Sequence, residues 1–204
     1  MGEVDSNGNH LVRLVPVTHL QPKATQAQRA SPPNRNPIRD EIASELVSNL
    51  QSIEISFKGK TCIDVGCRSG ENSLAMQKAG AEVIGIDPDD TEFEVAVKKG
   101  MDESQLVKAT LQKYHRIFPD NKFDIATVFL WNIPFKGREA FVSCLKDIIH
   151  PEGLVIIGYG EREYDEDHVI NVPELMKTAF GSVEKTVFNG SINRYILECS
   201  GPKL

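Results

Sequence analysis

Residues 62–72 read CIDVGCRSGEN, and this stretch decides the fold. Residues 61–65 are a short apolar run that predicts a buried strand, with the acid Asp64 near its end. The pattern Gly66-x-Arg68-x-Gly70 then opens a helix. Glycine lets the backbone turn tightly and lets a ligand approach it closely. A helix N-terminus adds N–H donors and partial positive charge. We therefore expect a ligand to bind where this strand meets the helix.

A second acid follows the next strand. Residues 82–86 form another short apolar run, and Asp87 ends it, roughly twenty residues after Asp64. An acid at this position can accept hydrogen bonds from both hydroxyls of a ribose. Either acid alone would also suit a helix cap or a solvated loop. Their order and spacing together predict a nucleoside site.

The rest of the chain alternates between strands and helices. Short apolar strands separated by amphipathic helices indicate a parallel sheet covered on both faces. The predicted strands of this part are 61–65, 82–86, 106–111, 123–130 and 154–158, and the clearest helix is 138–149. Two further strands, 183–188 and 192–199, flank Asn189-Gly190, a strong hairpin signal. The prediction is an α/β fold with a mostly parallel seven-stranded sheet that ends in an antiparallel hairpin.

The first part of the chain differs from the rest. Residues 1–36 are rich in Gln, Pro and Ser, apart from a possible short strand at 11–15, and they read as a partly flexible arm. The arm is either a mobile tail or a lid over a substrate. Asn36-Pro37 looks like a helix start, so we place the folded domain at 37–204.

The composition of the chain limits the classes of function that it can have. A length of 204 residues suits one domain, and the net charge of -6 argues against nucleic acid as the main partner. The sequence holds no apolar run long enough for a transmembrane segment. Its four cysteines form no CxxC pair, which favours reduced thiols in a cytoplasmic protein and predicts no metal site. Composition does not indicate an oligomeric state.

The stretch from Asp64 to Gly70 resembles the first motif of class I S-adenosylmethionine-dependent methyltransferases, whose usual form is acid-x-G-x-G-x-G. The resemblance implies a Rossmann-like αβα sandwich and S-adenosylmethionine as cofactor. It implies that Asp64 and the loop 66–70 hold the methionine moiety and that Asp87 holds the ribose. The expected cofactor-binding residues are Asp64, Gly66, Cys67, Arg68, Gly70, Asn72, Asp87, Pro88, Leu111, Phe129 and Trp131.

The sequence departs from the family pattern at two places. Arg68 stands where the second glycine is usual. It either takes a negative φ with its side chain in solvent, or pairs with the methionine carboxylate. The family often has an acid after the third strand that bonds the adenine amine, but residues 109–112 read ATLQ. Backbone groups or Gln112 are the alternatives there.

The tetrad Asn132-Ile133-Pro134-Phe135 follows the fourth strand. It resembles the N-[IL]-P-[FY] motif of amino-group methyltransferases, including ribosomal RNA adenine dimethylases. That resemblance implies that Asn132 is catalytic, by bonding a planar amine, and that Phe135 stacks on its ring. Small-molecule methyltransferases carry a similar turn, and the continuation His150-Pro-Glu-Gly153 is similar to theirs.

The loop after the fifth strand supplies Tyr159 and Glu161 as candidate substrate contacts, unless it is simply a solvated acidic loop. The expected function is methyl transfer to a small molecule or a protein side chain, the acceptor being unidentified. A nucleic-acid amine methyltransferase and a non-catalytic cofactor-binding protein are the alternatives. The loop spacing and the terminal hairpin disfavour a dinucleotide-dependent dehydrogenase.

Overall fold

The computed structural model describes residues 13–16, 37–52, 54–128, 137–160, 172–189 and 194–202. Within these ranges the chain forms helices and strands in alternation. The helices are α1 (Pro37–Ser52), α2 (Glu71–Lys78), α3 (Phe93–Lys99), α4 (Leu111–Ile117), α5 (Arg138–Ile148) and α6 (Val172–Lys177). The strands are β1 (Arg13–Pro16), β2 (Thr61–Val65), β3 (Glu82–Asp87), β4 (Leu106–Lys108), β5 (Phe123–Val128), β6 (Ile149–Gly160), β7 (Phe180–Asn189) and β8 (Arg194–Pro202).

All the strands belong to one sheet, in the order β1-β7-β8-β6-β5-β2-β3-β4. Neighbours from β6 to β4 run parallel. Strand β8 lies antiparallel to both β6 and β7. The α/β prediction is thus confirmed, with its seven strands and its terminal hairpin. Strand β1 adds an eighth at the edge, parallel to β7, close to the short strand expected near residue 13.

Some predicted boundaries move. The third predicted strand, 106–111, was too long, because β4 ends at Lys108. Thr110 instead caps α4, and its hydroxyl accepts the N–H of Lys113 at 3.2 Å. Strand β5 ends at Val128, and residues 129–136 lie outside the described part, as do the hairpin turn residues 190–193.

Two apolar cores cover the two faces of the sheet. Successive residues of a strand point to opposite faces. Accordingly, Cys62 packs in the core beneath α1 and α2, while Ile63 packs in the other core, beneath α4, α5 and α6. The helix predicted at 138–149 buries its apolar residues there, namely Phe141, Val142, Leu145 and Ile148. The molecule is therefore a three-layer sandwich.

The amino ends of β2 and β5 are fastened to each other. The carboxylate of Asp124 accepts the backbone N–H of Thr61 at 2.8 Å and its hydroxyl at 3.0 Å. Lys60 lies 3.3 Å from the same carboxylate. The Thr61 N–H is the main reason that the pKa of Asp124 lies below its usual value. This clamp fixes the register of the two central strands, whose carboxyl ends carry the candidate site.

Among the described helices, none has the length and apolar character needed to cross a membrane.

Candidate functional site

The loop between β2 and α2 has an alternating left-handed backbone. Gly66, Arg68 and Gly70 have φ angles of 83°, 47° and 74°. Residues with a β-carbon rarely adopt this region, which costs them about 1–2 kcal/mol. The negative φ considered for Arg68 is therefore wrong, since the loop imposes the same conformation on arginine as on the glycines beside it.

The Arg68 side chain is held by the next loop. Its Nη2 lies 3.0 Å from Oε1 of Glu92, the residue that precedes α3. The side chain is otherwise largely exposed. Neither sequence alternative anticipated this partner, because nothing in the local pattern relates Arg68 to a residue in the next β–α connection.

The loop backbone is tied to β3. The N–H groups of Gly66 and Cys67 both donate to the carbonyl of Ile86, at 2.8 and 3.1 Å. The N–H of Arg68 donates to Oδ2 of Asp87 at 3.1 Å. These three N–H groups therefore serve the protein rather than a ligand. What they provide is a loop whose shape is already set before a ligand binds.

Asp87 ends β3 and is 7% exposed. Its Oδ2 accepts from Arg68, and its Oδ1 accepts the N–H of Asp89 at 2.9 Å. An ionised carboxylate accepts about four hydrogen bonds. Its oxygens thus keep capacity for two further donors, which fits the vicinal hydroxyls of a ribose.

Asp64 is buried more deeply, with 1% of its surface exposed. The Ser73 hydroxyl donates to its Oδ2 at 2.6 Å, and the Thr127 hydroxyl donates to its Oδ1 at 3.0 Å. Burial raises the pKa of Asp64 to about 6, although both hydroxyls oppose the shift. Ser73 and Thr127 are site residues that sequence reasoning missed, since a lone Ser or Thr in a helix or strand carries no motif.

A second ion pair braces the start of α2. Glu71 accepts the Ser69 hydroxyl at 2.7 Å and the Lys99 ammonium at 2.9 Å, and the Glu71 and Lys99 side chains are nearly buried. Burial alone would raise the pKa of Glu71, but the bonds from Ser69 and Lys99 outweigh it and lower that pKa. Because Glu71 begins α2 and Lys99 ends α3, the pair joins these two helices beside the loop.

Two other residues predicted to bind the cofactor, Cys67 and Leu111, have side chains buried in the protein. The side chain of Cys67 packs on Gly85, where an added Cβ would lie 2.9 Å from the Cys67 sulfur. Leu111 is buried in the core at the start of α4. Both backbone groups of Cys67 are also bonded within the protein, its N–H to the carbonyl of Ile86 and its carbonyl to the N–H of Gly70. Asn72 is half-buried in the first turn of α2, and Pro88 is exposed beside Asp87.

The remaining predicted residues are not described. Phe129, Trp131, Asn132, Phe135 and Glu161 lie outside the described ranges. Tyr159 belongs to β6, but its side chain is likewise outside the description. In the described part of the chain, no cluster of three or more His, Cys, Asp or Glu side chains is arranged to hold a metal ion.

Comparison with known proteins matches this geometry to a family. Residues 63–157, which include β3, β4, β5 and the last three residues of β2, match the family described as Methyltransferase domain. The chain is also 29% identical over 133 residues to the ubiquinone biosynthesis O-methyltransferase of Pasteurella multocida (strain Pm70). Over residues 63–157 this chain is therefore similar to methyltransferase domains, which supports the predicted class I S-adenosylmethionine-dependent family. S-adenosylmethionine is the cofactor of that family.

Solved methyltransferases share the fold of the domain. A SAM-dependent methyltransferase from Archaeoglobus fulgidus has a TM-score of 0.61 at 17% identity, over 76% of this chain and 93% of that one. The 1,6-didemethyltoxoflavin-N1-methyltransferase of Burkholderia thailandensis has a TM-score of 0.60 at 13% identity, over 82% and 80%. The Pasteurella alignment covers 59% of this chain and 51% of that enzyme. The chain thus spans about half the length of the curated relatives it matches.

Proposed function

We propose that this chain transfers a methyl group from S-adenosylmethionine to a small molecule or a protein side chain. The observation that carries the proposal is the pairing of Asp87 with a preformed left-handed loop at the carboxyl ends of two adjacent parallel strands. Ligands of open α/β sheets bind at this edge. The family match and the sheet order support the same function.

The described residues have separable tasks in this proposal. Asp87 accepts the ribose hydroxyls, and the loop 66–70 gives the cofactor a close approach to the backbone. Asp64 supplies negative charge near the ammonium of the methionine moiety. When bound, S-adenosylmethionine supplies a methyl group already activated on a sulfonium. The protein therefore needs chiefly to align the acceptor and exclude water, and a strong general base is not required.

The acceptor side of the site remains a proposal from the sequence. Strands β5 and β6 are parallel to β2, so their carboxyl ends lie at the same edge of the sheet as the loop, and residues 129–136 and 161 come next in the sequence. Phe129 and Trp131 are proposed to contact the cofactor, Asn132 to act on the acceptor, and Phe135, Tyr159 and Glu161 to bind it. The Pasteurella relative is named for an O-methyl acceptor and the Burkholderia neighbour for a nitrogen acceptor, both small molecules.

Isothermal titration with S-adenosylmethionine, S-adenosylhomocysteine and NAD tests the cofactor. We expect micromolar affinity for the two sulfur nucleosides and none for NAD. Absence of binding by both sulfur nucleosides would refute the proposed function, and binding of NAD alone would assign the fold to a dehydrogenase.

A turnover assay with methyl-labelled cofactor then tests the acceptor class. Pools of phenols, amines and peptides are compared with structured RNA under one condition. Label in the first group supports the proposal, and label in RNA alone assigns the amine-methyltransferase alternative. Cofactor binding without turnover on any pool favours a non-catalytic binding protein.

We also propose that the protein works in the cytoplasm. The four cysteines are free thiols, as suits a reducing compartment. Fractionation of the native host tests this location.

A further inference from the structure

The hydrogen bonds of Asp64 join three elements at the centre of the site. Asp64 lies on β2, Ser73 on α2 and Thr127 on β5. Each hydroxyl donates to a different oxygen of the carboxylate, at 2.6 Å from Ser73 and 3.0 Å from Thr127. Both donors are fully buried, so neither can exchange this partner for bulk water.

Such a carboxylate is costly to keep ionised. Removing a charge from water disfavours the charged form, and hydrogen bonds to that form favour it. Here burial is the largest influence and raises the pKa of Asp64 to about 6, while the hydroxyls of Ser73 and Thr127 and the backbone N–H of Ser73 lower it. The free protein therefore holds Asp64 close to the boundary between its two charge states at neutral pH.

We propose that Ser73 and Thr127 are positioning residues for the cofactor, which fix the Asp64 carboxylate in place and keep it ionised for the cofactor ammonium. This inference rests on the proposed function. With the backbone N–H of Ser73, the two hydroxyls occupy about three of the four acceptor sites and leave one for the ammonium or for a water that bridges to it. Each hydroxyl thus acts on the cofactor through Asp64 rather than by contact.

The charged neighbours of Asp64 do not replace this role. Glu71, at the start of α2, disfavours the ionised form, and its own charge is balanced by Lys99 from α3. The thiols of Cys62 on β2 and of Cys67 in the loop have pKa values raised by burial, so they stay neutral near Asp64. On β5, the group that faces Asp64 is the Thr127 hydroxyl itself.

The test is the pH dependence of S-adenosylmethionine affinity, measured by titration calorimetry from pH 5 to 8.5. A cationic ammonium binds the ionised carboxylate, so affinity is highest between the pKa of Asp64 and that of the cofactor ammonium, about 8, and falls as the pH drops through the pKa of Asp64. In Thr127→Val and Ser73→Ala the carboxylate loses a donor, and we expect the midpoint of this fall to move upward by about one pH unit. Asp64→Asn should remove this fall.

Thr61→Val is the matched control. Thr61 lies at the opposite end of β2, where its hydroxyl donates to the carboxylate of Asp124. This variant loses the same chemical group from the same sheet. We expect it to change the melting temperature while leaving the midpoint of the affinity curve where the parent protein has it.

Two results would overturn the inference. One is an unmoved midpoint in both Thr127→Val and Ser73→Ala. The other is an equal loss of affinity at every pH, which would make the hydroxyls structural only. If the parent protein binds no S-adenosylmethionine, the proposed function fails first. A carbon-13 NMR titration of the Asp64 carboxyl in ligand-free protein then decides separately whether the hydroxyls set its charge, since an unchanged titration in Thr127→Val refutes that part.

Discussion

The carboxylate of Asp87 accepts the backbone N–H of Arg68 at 3.1 Å. The residue proposed to hold the ribose thus also holds the loop proposed to hold the methionine. A ligand that bonds Asp87 meets a loop whose conformation is already fixed. Such preorganisation reduces the entropy lost on binding. Asp87 therefore serves both the predicted ribose site and the predicted methionine-binding loop.

Asp87→Asn should weaken S-adenosylmethionine binding by at least tenfold. The amide keeps the shape of the side chain but replaces one acceptor oxygen with a donor, so either the ribose or the Arg68 N–H loses its partner. Asp89→Asn is the control, because Asp89 is exposed and bonds the N–H of Thr91 within its own turn. Calorimetry compares the three proteins. Unchanged affinity in Asp87→Asn would remove Asp87 from the site.

Arg68→Gly should be more stable than Arg68→Ala by about 1 kcal/mol. Both variants lose the ion pair to Glu92, so the comparison isolates the backbone. At φ of 47° alanine keeps the strain of a β-carbon, whereas glycine does not. Urea denaturation measures the difference. If alanine proved the more stable of the two, the left-handed conformation of residue 68 would be disproved.

Gly85→Ala should destabilise the fold by about 2 kcal/mol. The added Cβ would lie 2.9 Å from the sulfur of Cys67 and 3.3 Å from Cδ2 of Leu106. Cys67→Ala removes the sulfur, the nearest obstacle, and leaves the Cβ of residue 67 at 3.1 Å. The double variant Cys67→Ala/Gly85→Ala should therefore lose less stability than the sum of the single variants. Strict additivity in denaturant unfolding would mean that residues 67 and 85 do not touch.

Loss of the Asp64 charge should give Asp64→Asn a stability advantage of on the order of 2 kcal/mol that develops between pH 4 and pH 7. The hydroxyl bond that its amide nitrogen cannot accept adds a cost that does not depend on pH. Folding raises the pKa of Asp64 to about 6, so ionised Asp64 disfavours the fold at neutral pH. As the pH falls through 6 toward the unfolded value of about 4, the folded protein takes up this proton first and the advantage of Asp64→Asn disappears. Urea denaturation across this range measures the difference.

Asp124→Asn is a control variant, for which we expect the pH-dependent change in stability to have the opposite sign. The pKa of Asp124 is lowered by the N–H of Thr61, so its contribution to stability is present above the unfolded pKa and is lost as the pH falls through the folded one. This variant should therefore be less stable than the parent at pH 7. If the stability of Asp64→Asn relative to the parent did not rise between pH 4 and pH 7, the burial cost assigned to Asp64 would be wrong.

The fold could be predicted from the sequence because the patterns that indicate its strands and helices are local. The apolar runs and the Asn189-Gly190 hairpin signal depend on neighbouring residues, and they located the central strands and the reversed last strand. Strand β4 was the exception. The apolar residues Ala109 and Leu111 continued its pattern, but the Thr110 cap had already begun α4.

The candidate site could be predicted from the sequence only in part. Asp64, Asp87 and the glycines belong to a spaced motif, whereas the partners that define their state come from distant elements. Thr127, Ser73 and Glu92 lie near the loop because the sheet order and the helix packing bring them there. A negative φ was considered for Arg68 because arginine favours it, but the conformation of the loop requires a positive φ at this position.

Strand β8 lies between β6 and β7, although β7 precedes it in the chain. During synthesis β7 therefore emerges with only the short edge strand β1 to join, since β6 receives β8 along the whole span from Leu154 to Gly160. We expect nascent chains that stop before residue 194 to leave the edge of β6 open and to be held by chaperones. Completion of the sheet then becomes a late, all-or-none event on the ribosome.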